Sequence, residues 1–194
     1  SSSMIDFAKE TFTCKNLQFE LMDASDIDFE NQFDTVVSFT ALQWVNNHVL
    51  IIKNVKKSLK PNGIFALTMP MGLPQTLQNS VDEIVLDKKW SNYFTTFSTG
   101  WNFVNKTAYE NLLKTEGFII KRAQVVKQED VFPSLKVFKG FISQWFPYLR
   151  PLPAHLKEEF LVSVLSEYLK KEPLDQQGRL HFKIDRLEVI AKKE

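Results

Sequence analysis

The sequence predicts an α/β protein built on a doubly wound, mostly parallel sheet, with an antiparallel strand at the carboxyl end and a helical insertion before it. Three observations lead there. Short β-rich runs alternate with amphipathic helical stretches, the pattern of strand-helix units in a parallel sheet. Lys60-Pro61-Asn62-Gly63 ends one helical stripe just before an apolar run, because proline cannot continue a helix and Asn-Gly supplies positive-φ residues. Finally, 133–171 reads as two helical patterns around a proline-rich break, followed by a last alternating run.

Taken in order, Met4, Ile5, Ala8 and Phe12 stand at helical spacing, which predicts a short opening helix that Ser3 could cap. Leu17 to Met22 alternates apolar and polar residues and predicts a strand ending at Asp23. A short strand is expected within Phe33 to Phe39, and a helix over Val45 to Leu59 with Leu50, Ile51, Val55 and Leu59 on one stripe. Ile64 to Met69 is a third strand. Leu77 to Trp90 is expected to be helical and Trp90 to Phe103 an aromatic loop. Thr107 opens a helix that stops at Gly117, Phe118 to Val126 is a strand, and Leu180 to Ala191 is the final strand.

The 194 residues hold 24 Lys and Arg against 23 Asp and Glu, so no uniform basic field recommends a nucleic-acid partner. No apolar run approaches the ~20 residues of a membrane span, so no membrane partner is expected. Seventeen Phe in a 44% apolar chain supply ample core. One cysteine, Cys14, excludes an internal disulfide framework and fits a reducing compartment, with the cytoplasm as the default. His155 and His181 have no carboxylate or cysteine at metal-ligand spacing, so no metal site is expected.

Ligands of open α/β sheets bind at the carboxyl ends of the strands. Asp23-Ala24-Ser25 is placed there by the pattern: a carboxylate can accept from an exocyclic amine, though an Asp at such a point can equally be a turn former. Ser38 to Trp44 follows the next strand and mixes aromatics with amide and hydroxyl groups, as small-ligand pockets do; taken alone, Phe39 and Trp44 read as core side chains.

The ordered set resembles the class I S-adenosylmethionine-dependent methyltransferases over essentially the whole chain. Ser1-Ser2-Ser3-Met4 with Ala8 is similar to the helix start after that superfamily's ribose-binding acid. Asp23-Ala24 is similar to its adenine-contacting turn, and Leu59-Lys60-Pro61-Asn62-Gly63 to its Leu-Lys-Pro-Gly-Gly segment. The closer resemblance is to trans-aconitate methyltransferases, carried by Leu42-Gln43-Trp44-Val45 with His48, Met69-Pro70, Leu149-Arg150-Pro151 and Gly178-Arg179-Leu180 to Lys192-Lys193. Malonyl carrier-protein and juvenile-hormone-acid methyltransferases share parts of the pattern, and all three esterify carboxylates. The resemblance implies a Rossmann-like methyltransferase sheet lacking its first strands, within a single truncated domain whose 133–171 segment is an insertion or cap. No counterpart of the superfamily's Gly-rich cofactor loop is found, so the fragment alone is expected to be inactive.

The resemblance implies S-adenosyl-L-methionine as cofactor, with Asp23, Ala24, Ser25 and Ser38 binding it, and a small or carrier-linked carboxylic acid as substrate. No catalytic base is expected, because a carboxylate nucleophile is already ionised at neutral pH. A cationic clamp is needed instead. Arg150 is the first candidate, since a guanidinium binds carboxylate bidentately, and Arg179 the second, with a surface pair to Asp175 or Glu172 as its competing reading. Gln43, Trp44 and Tyr148 complete the expected substrate site. Plain packing is favoured for Trp101 and Trp145, and a capping or surface role for His48 over a base. A second reading is a non-catalytic, methyltransferase-like module that binds a protein through the aromatic stretch Trp90 to Phe103.

Overall fold

The computed structural model describes residues 1–194. Helix α1 (Ser2–Thr11) is followed by β1 (Phe33–Phe39), α2 (His48–Ser58), β2 (Leu59–Pro70), α3 (Gln75–Val85), α4 (Lys106–Thr115), β3 (Phe118–Phe132), α5 (Leu135–Ser143), α6 (Ala154–Lys171) and β4 (Leu180–Lys193). The strands form one sheet in the order β1-β2-β4-β3. β1 pairs with β2 in parallel, and β4 lies antiparallel between β2 and β3. Three strands therefore share a direction and the carboxyl-terminal one opposes them, as the sequence predicts. No helix is long and apolar enough to cross a membrane.

Helices cover both faces, and β4 records this in its side-chain alternation. Leu180, Phe182 and Ile184 enter a cluster with Leu77 and Val81 of α3, Phe138 and Ile142 of α5, and Phe160, Val164 and Tyr168 of α6. Leu187, Val189 and Ala191 enter a second cluster with Ile51, Ile52 and Val55 of α2 and Tyr109 and Leu113 of α4. Successive strand residues point to opposite faces, so the change from even to odd numbers means that the buried face of β4 switches sides between Ile184 and Leu187. Arg186 stands at the switch, on the face of Phe182 and Ile184.

Helix limits follow local chemistry. The Asn47 and Asn105 side chains accept from the backbone N–H groups of Leu50 and Ala108, capping α2 and α4. Gly117 takes φ +77° just past α4. Lys60 to Gly63 is accommodated as an irregularity at the start of β2, where the register against β1 jumps from Phe33↔Leu59 to Thr35↔Ile64. A Cβ on Gly63 would stand 2.9 Å from the Lys60 carbonyl oxygen, so only glycine fits.

Four expectations are corrected. Leu17 to Met22 forms no strand: no neighbouring strand pairs with it, and a strand requires a ladder partner for its backbone groups. Asp23 therefore ends no strand. Phe39 is exposed rather than core, because it sits on the edge strand β1, none of whose residues is buried. The aromatic stretch 90–103 is no free contact surface: Trp90 is buried edge-on against Phe160, and Phe94, Phe97 and Trp101 pack on the α3–α5–α6 core.

Candidate functional site

The parallel pair β1–β2 ends at Phe39 and Pro70, and just beyond lies a cavity of about 330 Å³. Thr40, Gln43 and Trp44 enter it from the segment after β1, and Pro70, Gly72 and Leu73 from the end of β2. Trp101 and Phe103 come from the loop before α4, Phe141 and Trp145 from α5 and its end, and Phe182, Ile184 and Arg186 from β4; Asp130 of β3 completes the wall. A small apolar cavity with few polar groups, at the carboxyl edge of parallel strands, has the general form of a ligand site.

The tryptophans form a connected wall: Trp44 and Trp101 have ring centroids 5.6 Å apart, and Trp101 and Trp145 6.3 Å. Thr40 takes φ +52°, a left-handed conformation costly for a β-branched residue. Three hydrogen bonds hold it. Its N–H donates to the Thr68 carbonyl at 2.8 Å, its carbonyl accepts from Gln43 Nε2 at 3.0 Å, and its Oγ1 accepts from Arg186 Nη1 at 2.8 Å. Gln43 is thus buried and fixed in the cavity wall.

The structure places Gln43 and Trp44 in the cavity wall. Arg150 is exposed just outside it, its guanidinium 5.2 Å from the Trp44 ring and its Nη1 donating to the Thr99 carbonyl at 3.3 Å. Tyr148 is corrected from substrate contact to core: it is buried against Phe94, Phe97 and Phe146, its hydroxyl accepts from Gln78 Nε2, and burial pushes its pKa up. Arg179 is bound to Asp175 at 2.8 Å, its competing reading, and does not line the cavity. His48 is neither cap nor surface: Asn47 is the cap, and the imidazole is buried edge-on to Tyr109, where desolvation lowers its pKa. Trp101 and Trp145 pack on the core, as expected, and also wall the cavity.

Asp23 caps the turn Ala24–Asp26, its Oδ1 accepting from the Ser25 N–H at 2.8 Å and from the Ser25 hydroxyl at 2.5 Å. Those bonds lower its pKa. The turn packs on α2, where Asn54 Nδ2 donates to the Ser25 carbonyl at 2.8 Å. Neither this turn nor Ser38 lines the cavity. Oδ2 of Asp23 makes no hydrogen bond within the chain, so an open acceptor beside the small Ala24 suits the amine edge of an adenine. The six glycines stand singly at 63, 72, 100, 117, 140 and 178, and supply no cradle for the rest of such a cofactor.

Arg186 and Asp130 are cavity residues that the sequence reading missed. A signal for Arg186 existed: it continues the even-numbered face of Leu180, Phe182 and Ile184 in an otherwise apolar alternation.

Comparisons with known proteins bear on the fold and on a part of the sequence. Residues 1–67 match the family model described as Methyltransferase domain. The 235L protein of Invertebrate iridescent virus 6, named as a methyltransferase, is 25% identical over 86% of this chain and 62% of its own length. Juvenile hormone acid O-methyltransferase of Drosophila melanogaster is 26% identical over 83% and 57%, and trans-aconitate 2-methyltransferase of Acidovorax sp. 23% identical over 82% and 63%. The chain thus spans about three-fifths of the length of these relatives. An S-adenosylmethionine-dependent methyltransferase structure from Mesorhizobium loti superposes on all of this chain and 77% of its own, with TM-score 0.53 at 15% identity. Over its first 67 residues the chain matches the methyltransferase-domain model, and along its length it has the Rossmann-like fold of these structures.

Proposed function

We propose that the complete protein transfers a methyl group from S-adenosylmethionine to the carboxylate of a small or carrier-linked acid. The observation carrying this reading is the tryptophan-walled cavity at the carboxyl edge of β1 and β2, in a chain related to acid O-methyltransferases. The cofactor supplies a sulfonium methyl: an acid oxygen takes it as the S–C bond pair passes to sulfur, giving a neutral ester and a neutral thioether. No proton moves, so the site needs no base.

What this chain contributes is orientation and exclusion of water. Trp44, Trp101 and Trp145 shield the acid, which strengthens attraction between unlike charges in a low dielectric. Gln43, pinned to Thr40, presents a fixed polar edge. Arg150, held over Trp44, places positive charge at the rim and draws in anions. Asp23 Oδ2, Ala24 and Ser25 would hold the adenine of the cofactor, and Ser38 would contribute to the same binding. In this reading the 194 residues belong to one domain with 133–171 as a cap over the cavity, in a cytoplasmic protein.

The test is calorimetric titration of the full-length protein with S-adenosylhomocysteine. Micromolar binding is expected; absence of heat at high micromolar ligand overturns the reading.

A further inference from the structure

The outer edge of β3 is open. β3 is the last strand in the sheet order and pairs with β4 alone, and no backbone group of residues 118–132 bonds to any other segment. A row of open N–H and C=O groups on a strand of 15 residues is a template for another strand. Past the irregularity between Ile120 and Arg122 the strand runs in regular register to Phe132, with Val125, Lys127, Glu129 and Val131 exposed along one face. Val125 and Val131 are 44% and 49% exposed, so no helix covers that face there.

The charges on this face are arranged for a second copy of the same strand. Within the chain, Lys127 stands opposite Asp185 of β4 and Glu129 opposite Lys183, while Glu129 also holds His181. An antiparallel β3 related by a two-fold axis through Gln128 brings Lys127 opposite Glu129 of the second copy, and Val125 opposite Val131, each pair occurring twice. Charge then alternates across four strands: Asp185 and Lys127 of one copy, Glu129 and Lys183 of the other. Sliding one strand by one residue sets the exposed faces on opposite sides of the sheet. Sliding it by two places Lys127 against Lys127 or Glu129 against Glu129, and like charges directly opposite are destabilising. A lone lysine guards an edge against pairing, but here a carboxylate two positions along supplies its counter-charge.

We infer that the outer edge of β3 is a self-association surface, on which a second copy of this chain adds its own β3 antiparallel over residues 124–132 and joins the two sheets into one. The inference uses neither the cofactor nor the acid, so it stands or falls apart from the methyl-transfer reading.

The test is sedimentation of the full-length protein from low to high micromolar concentration, where the parent is expected to form a dimer. Lys127→Glu sets carboxylates against each other at both charged contacts and should weaken association at least about tenfold, and Glu129→Lys should do the same with two ammonium groups at each contact. An equimolar mixture of the two variants restores opposite charges at both contacts and should dimerise again, which also shows that both variants fold. A monomeric parent, variants that associate as tightly as the parent, or a mixture that stays monomeric overturns the inference. Gln128→Cys then checks the axis, combined with Cys14→Ser to remove the native thiol. Opposed Cα atoms of antiparallel strands lie about 4.5 to 5.5 Å apart, within disulfide reach, so mild oxidation should link the two copies. A dimer that does not cross-link overturns the register.

Discussion

Arg186 Nη1 donates to Thr40 Oγ1 at 2.8 Å, a bond that crosses the end of β2 and joins residues 146 positions apart. It ties the strained turn after β1 to the point where β4 changes its buried face. Thr40 pays for its left-handed backbone with about 1 to 3 kcal/mol of strain, which persists because the neighbouring hydrogen bonds fix it.

Thr40→Val preserves shape and removes the hydroxyl, leaving Arg186 without its one partner. The KM for the acid should rise about tenfold while cofactor affinity and melting temperature stay close to the parent. Steady-state kinetics beside a thermal melt check this; an unchanged KM would show that the bond does not position Arg186.

Asp23 separates charge from geometry. Asp23→Ala removes an acceptor from the proposed adenine edge and should weaken S-adenosylhomocysteine on the order of tenfold. Asp23→Asn retains an accepting oxygen and should lose less. Calorimetry on both variants decides, and if Asp23→Ala melts much lower but binds normally, Asp23 serves only its turn.

His181 joins three segments: its Nδ1 lies 2.9 Å from Glu129 of β3 and its Nε2 3.0 Å from Asp175, which also holds Arg179. Asp175 and Glu129 raise the His181 pKa above its ordinary 6.5. A raised histidine contributes stability in full below pH 6.5, lost as pH climbs through the raised value. Asp175 is held well below the usual carboxylate range by the Arg179 backbone N–H and by His181, so its contribution is present above pH 3.8 and lost on further acidification. The melting temperature should therefore fall as pH rises from about 6.5 toward 9. His181→Gln should melt lower at pH 6 and show a flatter alkaline limb; parallel limbs would exclude His181 as the source.

Phe138 of α5 is fully buried, 6.3 Å from Tyr168 and 5.3 Å from Phe182 by ring centroid. Phe138→Ala should cost about 3 to 5 kcal/mol by chemical denaturation. It should also loosen the Trp145 wall, broadening the tryptophan emission. A loss under ~1 kcal/mol would mean that α5 is not seated as described.

Periodicity made most of the fold legible. The stripes of α2 and α4, the helix stop at Pro61-Asn62-Gly63 and the β4 alternation each correspond to an element, with boundaries moved by caps such as Asn47 and Asn105. Leu17 to Met22 failed because alternation reports a side-chain pattern and not whether a partner strand exists. Gln43 and Trp44 were legible as cavity residues because they follow a strand end. Trp101, Trp145, Asp130 and Arg186 come from four other segments that only the tertiary fold assembles.

Methyl transfer to an acid is measured directly by incubating the full-length protein with S-adenosylmethionine labelled in the methyl group and a panel of carboxylic acids. Base-labile, organic-soluble label is expected with at least one acid of the panel. Label that appears on no acid, although S-adenosylhomocysteine binds, would contradict it.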